Sequence, residues 1–466
     1  MKGFGRFVVL LVSLLVGSIA ISGTSGAIAS QSVHPSVAGD PLWTARYNTP
    51  GDDSGNALVV SPDGTRVFAT GHAGVNQYGT IAYDATTGAR IWQKRYGQLG
   101  SANAIGVSPD GGTVFVTGRD VPSSNDFGTV AYDADTGGQL WAKDYSGPAG
   151  GGFDAACALA VSPDGSTVVV TGESAGDTTD ADYATVAYDA STGDQLWASR
   201  YNGPANDRDV PHSVQVSPDG TQVFVTGESR KSRAGVLYFD YATIAYDLAT
   251  GTQQWVQRFD GPVKGDDSGY AVGVTPDGGT VFATGLSVGT TGTSEIATVA
   301  YGSATGARQW VNRYGPPSGA PYPDSFLSVS PDGAKVFVAA TGAWFNYDYV
   351  AIAIDSATGA RDWAKHYAGK NRDYADRVHG LAVSPDGGTV FLTGETYTNG
   401  PSDYETVAFD AADGTRLWVR RYDGPGHGGD AAHGLGVSPD GARVFVTGQS
   451  RGLGDMDYAT IAYSTS

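Results

Sequence analysis

Cysteine is almost absent from this chain of 466 residues: Cys157 is the only one. A lone thiol cannot close an internal disulfide, so the fold must be held by its packed core. Long apolar runs are missing after residue 30, and no stripe of 3.6-residue period appears there. That leaves neither a helical bundle nor a membrane-spanning helix beyond the N-terminal stretch. Positive charge is scarce: 29 Lys and Arg stand against 48 Asp and Glu, a net charge of −19 at pH 7. Such a balance argues against nucleic acid and anionic membrane surfaces as partners. The densest basic patch, Arg230-Lys231-Ser232-Arg233, reads as a solvated loop tip. No nucleophile elbow, zincin helix or phosphate loop occurs, and the carboxylates are too numerous to single out an acid–base pair.

What the chain has in plenty is glycine (68), proline (22) and aromatics (25 Tyr, 16 Phe, 9 Trp). A Ser/Thr-Pro-Asp-Gly turn begins at Ser61, Ser108, Ser162, Ser217, Thr275, Ser330, Ser384 and Ser438. Proline presets φ at the second turn position, Asp bonds locally to the backbone, and Gly accepts positive φ. In the first unit Ala57–Val60 precedes the turn, and Val67–Thr70, Gly79–Tyr83 and Ile91–Tyr96 follow as strands. Four short strands per unit, repeated at about 50 residues, predict a closed ring of blades. One Trp recurs per unit, at 43, 92, 141, 197, 255, 310, 363 and 418, with an aromatic four residues on. Both are read as packing between neighbouring sheets.

The ends of the chain fix the count. Leu42–Tyr47 is an outer strand with no unit before it, and Tyr458–Tyr463 is a third strand with no outer strand after it. Pairing them completes an eighth blade and hides two sheet edges. The expectation is all-β: an eight-bladed β-propeller of four-stranded antiparallel blades, closed by an N-terminal outer strand. Residues 1–29 read as a signal peptide, with Lys2 and Arg6, an apolar core Phe7–Ile21 and a small-residue cut after Ala29. Residues 30–40 read as a linker and 41–466 as the propeller. A secreted, extracellular, monomeric protein follows, with no membrane span after the signal is removed. No twin arginine is present.

Ala82 to Trp92 resembles the tryptophan-docking motif of quinoprotein-type (PQQ-like) eight-bladed propellers. Ala131–Trp141 and Ala187–Trp197 match it equally well, and Ala245–Trp255 keeps its Ala, Asp, Thr-Gly and Trp. Weaker copies lie at Tyr301–Trp310, Ile354–Trp363 and Phe409–Trp418. Asp182–Asp189 with Leu196–Tyr201 is similar to the bacterial beta-propeller repeat of exported proteins. The resemblance covers nearly all of residues 41 to 466 and implies the fold. It implies less about activity, because the family holds quinone-dependent alcohol dehydrogenases and also non-catalytic propellers that assemble outer-membrane proteins. Many alcohol-oxidising members carry a vicinal cysteine pair and a calcium site of Glu, Asn and Asp. One cysteine cannot form that pair, and no Cys-x-x-Cys-His is present for a covalent haem.

A unique site should sit where the copies diverge. Five positions before each turn Ser/Thr stand Asn56, Asn103, Cys157, His212, Tyr270, Ser325, His379 and His433, at the expected mouth of the central channel. His212, His379 and His433 are candidates for an open three-histidine metal site, weighed against a varied polar mouth. The loops after the second strands begin with His72, Arg119, Glu173, Glu228, Leu286, Ala343, Glu395 and Gln449 on the same face. Long loops are expected around Ser229–Asp240 and Ser287–Glu295. The sixth loop carries Trp344, Phe345 and Tyr347, which could stack on a sugar or grip a peptide. Recurrent acids before the first strands (Asp53, Asp154, Asp209, Asp267, Asp376, Asp430) and third strands (Asp126, Asp182, Asp240, Glu295, Asp348, Asp403, Asp457) read as backbone caps, or as repeated calcium ligands. The leading reading is a binding module for an extracellular protein or glycan. The alternative is a quinone- or metal-dependent enzyme, an oxidoreductase or a hydrolase or lyase, with its site at the channel mouth. A third reading is a plain scaffold.

Overall fold

Each turn is built as its residues dictate. In the first, the Gly64 N–H donates to the Ser61 carbonyl at 2.9 Å, and Gly64 takes φ +70°. Ser61 Oγ donates to Asp63 Oδ1 at 2.5 Å, and the Thr65 N–H donates to the same oxygen at 3.0 Å. These donors hold the Asp63 carboxyl down at about 2. In a computed structural model of the chain, such turns join strands into eight antiparallel sheets of four. The structure describes residues 37–74, 77–97, 100–120, 126–150, 152–233, 235–315, 324–342, 348–369, 375–398 and 400–466. All regular structure among them is strand.

Seven blades are consecutive in the chain. The eighth takes its outer strand, Pro41–Tyr47, from the N-terminus, paired antiparallel with Met456–Ser464 at the C-terminus. Ala38 to Asp40, at the end of the segment read as a linker, are bonded into this blade: the Gly39 N–H donates to the Ser464 carbonyl at 2.7 Å. Arg46 adds a bond to Asp457 at 2.6 Å and one to Ser450 at 2.7 Å. First strands of successive blades lie against one another all the way round and so surround the axis. At one end of the ring, the glycine of each turn abuts the proline of the preceding blade's turn, as Gly64 does Pro439.

The core lies between blades. Trp92 of the first blade packs with Phe68, Tyr78 and Ala82 of its own sheet and with Val114, Val116, Val130 and Tyr132 of the next. Its indole N–H donates to the Ala134 carbonyl at 2.9 Å, in the next blade's Thr-Gly turn. The same bond recurs from Trp43, Trp141, Trp197, Trp255, Trp310 and Trp363. The expected loop around Ser229–Asp240 is instead strand: Gln222–Arg233 pairs with Val236–Asp247 along its whole length. Cross-strand partners hold the extension, with Arg230 over the Phe239 ring at 4.9 Å and Lys231 3.4 Å from Asp240. The basic patch is therefore part of a hairpin, and Arg230 is bonded to Asp207 at 2.7 Å.

Candidate functional site

The ring residues that the turns count off are β-bulges. The register slips by one at Asn56, Asn103, Cys157, His212, Tyr270, His379 and His433. An extra residue bends the strand locally and redirects its side chain. Room for the bulge comes from a glycine on the second strand. At Gly71 an added Cβ would lie 2.0 Å from the Ser54 carbonyl oxygen, and at Gly118 2.1 Å from that of Ser101. The same glycine faces every other bulge, at 172, 227, 285, 394 and 448.

Freed from the ladder, the bulged side chains reach the next blade. The Asn56 amide donates to the Ala102 carbonyl at 2.8 Å, Asn103 to that of Ala156 at 2.8 Å, and the Cys157 thiol to that of Pro211 at 3.2 Å. Burial pushes that thiol up to about 12. His212 continues the chain by ring contact with Tyr270, centroids 4.9 Å apart. His379 and His433 form a second such pair at 5.2 Å. His212 thus stands with Tyr270 rather than with the other two, and the geometry does not bring the three histidines together. Among the described residues, neither three-donor group that could hold a metal contains a histidine.

The second-strand acids meet this ring. Glu173 takes a two-point bond from Arg208 at 2.8 and 2.9 Å, and Glu228 accepts from Ser268 Oγ at 2.7 Å. Burial raises the Glu228 carboxyl. Glu395 lies 3.3 Å from Arg377 and 3.9 Å from His379. Burial works against its charge, yet His379 and Arg377 bring it below the usual glutamate range. Arg119 lies over Phe153 at 5.5 Å. Trp344, Phe345 and Tyr347 lie outside the described residues.

The sixth blade breaks the pattern. Its second strand reads Val336-Phe337-Val338-Ala339-Ala340, so Ala340 stands where the others have glycine, and Phe326 follows the ring position where the others have Ala, Ser or Gly. Its register runs unbroken from Ser325–Ala340 to Val329–Val336. Without the bulge, Ser325 is buried to 3% exposure and its Oγ has no partner. Beside it opens a cavity of about 480 Å³ on the channel axis, lined by His212, Ser213, Gln215, Tyr270, Asp324 and Ser325, with Phe326, Leu327 and Leu381 among its apolar residues. His212 Nε2 is the second buried atom of this lining with no partner. Burial, then nearby Arg208, holds that imidazole down at about 4, so it is neutral at physiological pH. Ser213 Oγ accepts from the Val272 N–H at 3.3 Å. The lining thus combines aromatic rings with uncharged groups that can donate or accept. Gln215 and Phe326 were missed in the sequence; the missing glycine at Ala340 was the available signal.

The acids before the first strands are caps, as read: Asp53 accepts from the N–H groups of Thr49 and Gly74. Several acids before the third strands instead pair with outer-strand arginines, as Asp182 does with Arg200 and Asp240 with Arg258. In the seventh blade that arginine, Arg421, turns to the fully buried Glu405. Asp403 is left near Asp423 and Asp430. Burial, then those two carboxylates, pushes it up to about 6. The other three-carboxylate group, Asp240 with Asp260 and Asp267, is met by Lys231 and Arg258.

Ring and repeat together define a PQQ-like β-propeller. Residues 25–185, 77–243 and 183–445 match the family described as outer membrane protein assembly factor BamB, and the chain belongs to that family. No curated protein matches the sequence significantly. Among solved structures of similar fold is Sqt1 of Chaetomium thermophilum bound to the N-terminus of the ribosomal protein L10 (14% identity, 91% of this chain and 100% of that one, TM-score 0.62). Quinohemoprotein alcohol dehydrogenase from Comamonas testosteroni is another (13%, 91% and 76%, TM-score 0.52). A third is the dihydro-heme d1 dehydrogenase NirN in complex with DHE (14%, 91% and 75%, TM-score 0.55). At these identities the likeness is one of fold. Among its described residues the axial lining offers the carboxylate of Asp324 and no Lys or Arg, which does not suit a tricarboxylate quinone.

Proposed function

We propose that this chain is an exported, non-catalytic propeller that binds an extracellular protein or glycan at the channel mouth. The supporting observation is the axial cavity at the sixth blade, where His212 Nε2 and Ser325 Oγ are both buried and unpaired. Core tyrosine hydroxyls are unpaired as well, so what favours an outside partner is the concave cavity itself, lined by Tyr270 and Phe326 beside polar residues. The bulged side chains around it serve the ring, because Asn56, Asn103 and Cys157 spend their donors on the next blade. In Sqt1 the same fold holds a protein segment.

The test is elemental analysis and an absorbance spectrum of the mature protein, purified from an exporting host without chelator. The expected result is a protein free of stoichiometric metal and quinone. A bound quinone, or one metal per chain, would overturn the non-catalytic reading in favour of an enzyme.

A further inference from the structure

The sixth blade brings an acid and an aromatic ring together at the axis, as no other blade does. Asp324 and Phe326 flank the unbulged Ser325, and both line the axial cavity. The other seven blades have Gly, Ala, Pro or Val where Asp324 stands, and Gly, Ala or Ser where Phe326 stands. Asp324 is exposed, so its carboxylate is open to a ligand, and Tyr270 adds a second ring to the lining. The field at this spot is negative: burial, then the carboxyls of Glu228, Asp324 and Asp266, push the Tyr270 hydroxyl up to about 12. Arg208, the cation that acts on neighbouring His212, is spent on Glu173 through its two-point bond. Lys231 and Lys264 stand at a different cleft, with Asp240 and Asp260. No Lys or Arg is among the described residues of the axial lining. A negative field beside aromatic faces attracts a cation through both its charge and the ring quadrupole. A guanidinium suits it best, being flat, weakly hydrated and able to give a carboxylate two parallel bonds.

The same mouth offers a protein further contact. The fourth blade, which supplies His212, Ser213 and Gln215 to the lining, also carries the long hairpin Gln222–Asp247. That hairpin runs on past Asp209, where its own first strand begins, and so projects on the mouth side. Val236 and Leu237 are exposed near its tip, at 50% and 43%. A small free amine would leave them in water, whereas a chain segment can cover them. Building on the binding reading above, we infer that the axial cavity takes an arginine side chain of a partner protein, its guanidinium on the Asp324 carboxylate and its flat face on the aromatic side formed by Tyr270 and Phe326. At about 480 Å³ the space lies within the roughly 300–1,000 Å³ range of small-ligand sites, enough for one such side chain.

The full chain would be titrated by calorimetry with the acetylated, amidated peptide Gly-Ser-Gly-Arg-Gly-Ser-Gly. Its versions with citrulline, the uncharged isostere, and with glutamate in place of arginine serve as controls, and methyl glucoside as the neutral sugar. The arginine peptide is expected to saturate at one per chain, with the citrulline and glutamate peptides at least about tenfold weaker. Asp324→Asn should raise its Kd about tenfold, the effect of one lost charge-assisted hydrogen bond. Tyr270→Leu should raise it about fivefold, the effect of one lost cation–π contact. Melting temperatures matching the parent protein keep these losses from being folding defects. Equal binding of the arginine and citrulline peptides, arginine binding untouched by both variants, or no saturation by the arginine peptide would each overturn the assignment. Saturation by methyl glucoside alone would give the cavity to a neutral sugar and overturn the arginine while leaving the binding reading in place. A quinone or metal found in the purified protein would remove the binding reading itself.

Discussion

Glycine sets the geometry of the repeat at two positions, for two different reasons. In the Thr-Gly turn, Gly88 has φ +71°, and a Cβ there would lie 2.6 Å from Cδ2 of Trp43, whose indole sits on the turn. Gly88→Ala should therefore lower stability by about 1–3 kcal/mol from the left-handed backbone alone. Displacement of Trp43 would add to it. Chemical denaturation of the variant and parent checks this, and an unchanged midpoint would mean the indole is not seated as described. On the second strand the reason is proximity: a side chain at Gly71 would strike the Ser54 carbonyl. Both glycines recur in the sequence. The strand glycine was passed over because a bulge depends on what lies across the sheet, which a single strand's pattern does not show. For that reason Asn56, Asn103, His212, Tyr270, His379 and His433 were found as a ring, but the bulge that turns Asn56 and Asn103 onto carbonyls of the next blade was not.

At the scale of elements, strand order and ring closure were legible because the turn chemistry is local and repeated. The Gln222–Asp247 hairpin was not, since its polar stretch Ser229–Arg233 carries no apolar alternation and read as loop. Closure gives the sharpest prediction. The strand Pro41–Tyr47 pairs with the last strand, bonds Arg46 to Asp457, and seats Trp43 on Ala85 of the first blade. Removing residues up to Tyr47 would expose the edge of Met456–Ser464 and leave Asp457 without its arginine. An unpaired strand edge is a template for another chain. The truncated protein should melt at lower temperature and form dimers or larger species in light scattering. A monomer with the parent melting temperature would show that the ring does not depend on this clasp.

The whole molecule has a pH signature that no single blade would show. Burial raises Asp53, Asp209, Asp267, Asp376, Asp403, Asp430 and Glu228 above their usual values, with Asp376 and Asp403 at about 6. A carboxyl with a raised folded-state pKa binds more protons in the folded chain, so its effect is to lower stability as pH rises from about 4 to about 6. His212 and His433, held at about 4 by burial, act in the opposite sense over the same window, because the unfolded chain binds the protons there. The turn aspartates, such as Asp63 at about 2, titrate below it and are ionised throughout. Acids outnumber histidines, and self-repulsion falls near the sequence pI of 4.6. The melting temperature should be higher at pH 5 than at pH 7.5, and Asp376→Asn should shrink the difference. A rise from pH 5 to pH 7.5 would mean that the buried carboxyls are better solvated than the fold indicates.

The central claim is that the unbulged sixth blade opens the axis to an outside ligand. A crystal structure of the protein, at a resolution that shows ordered water, tests it most directly. The account predicts density, solvent or ligand, in the cavity beside Tyr270, Ser213 and Phe326. A dry channel would contradict it, above all one with Ser325 bulged like its counterparts and bonded to a carbonyl of the next blade.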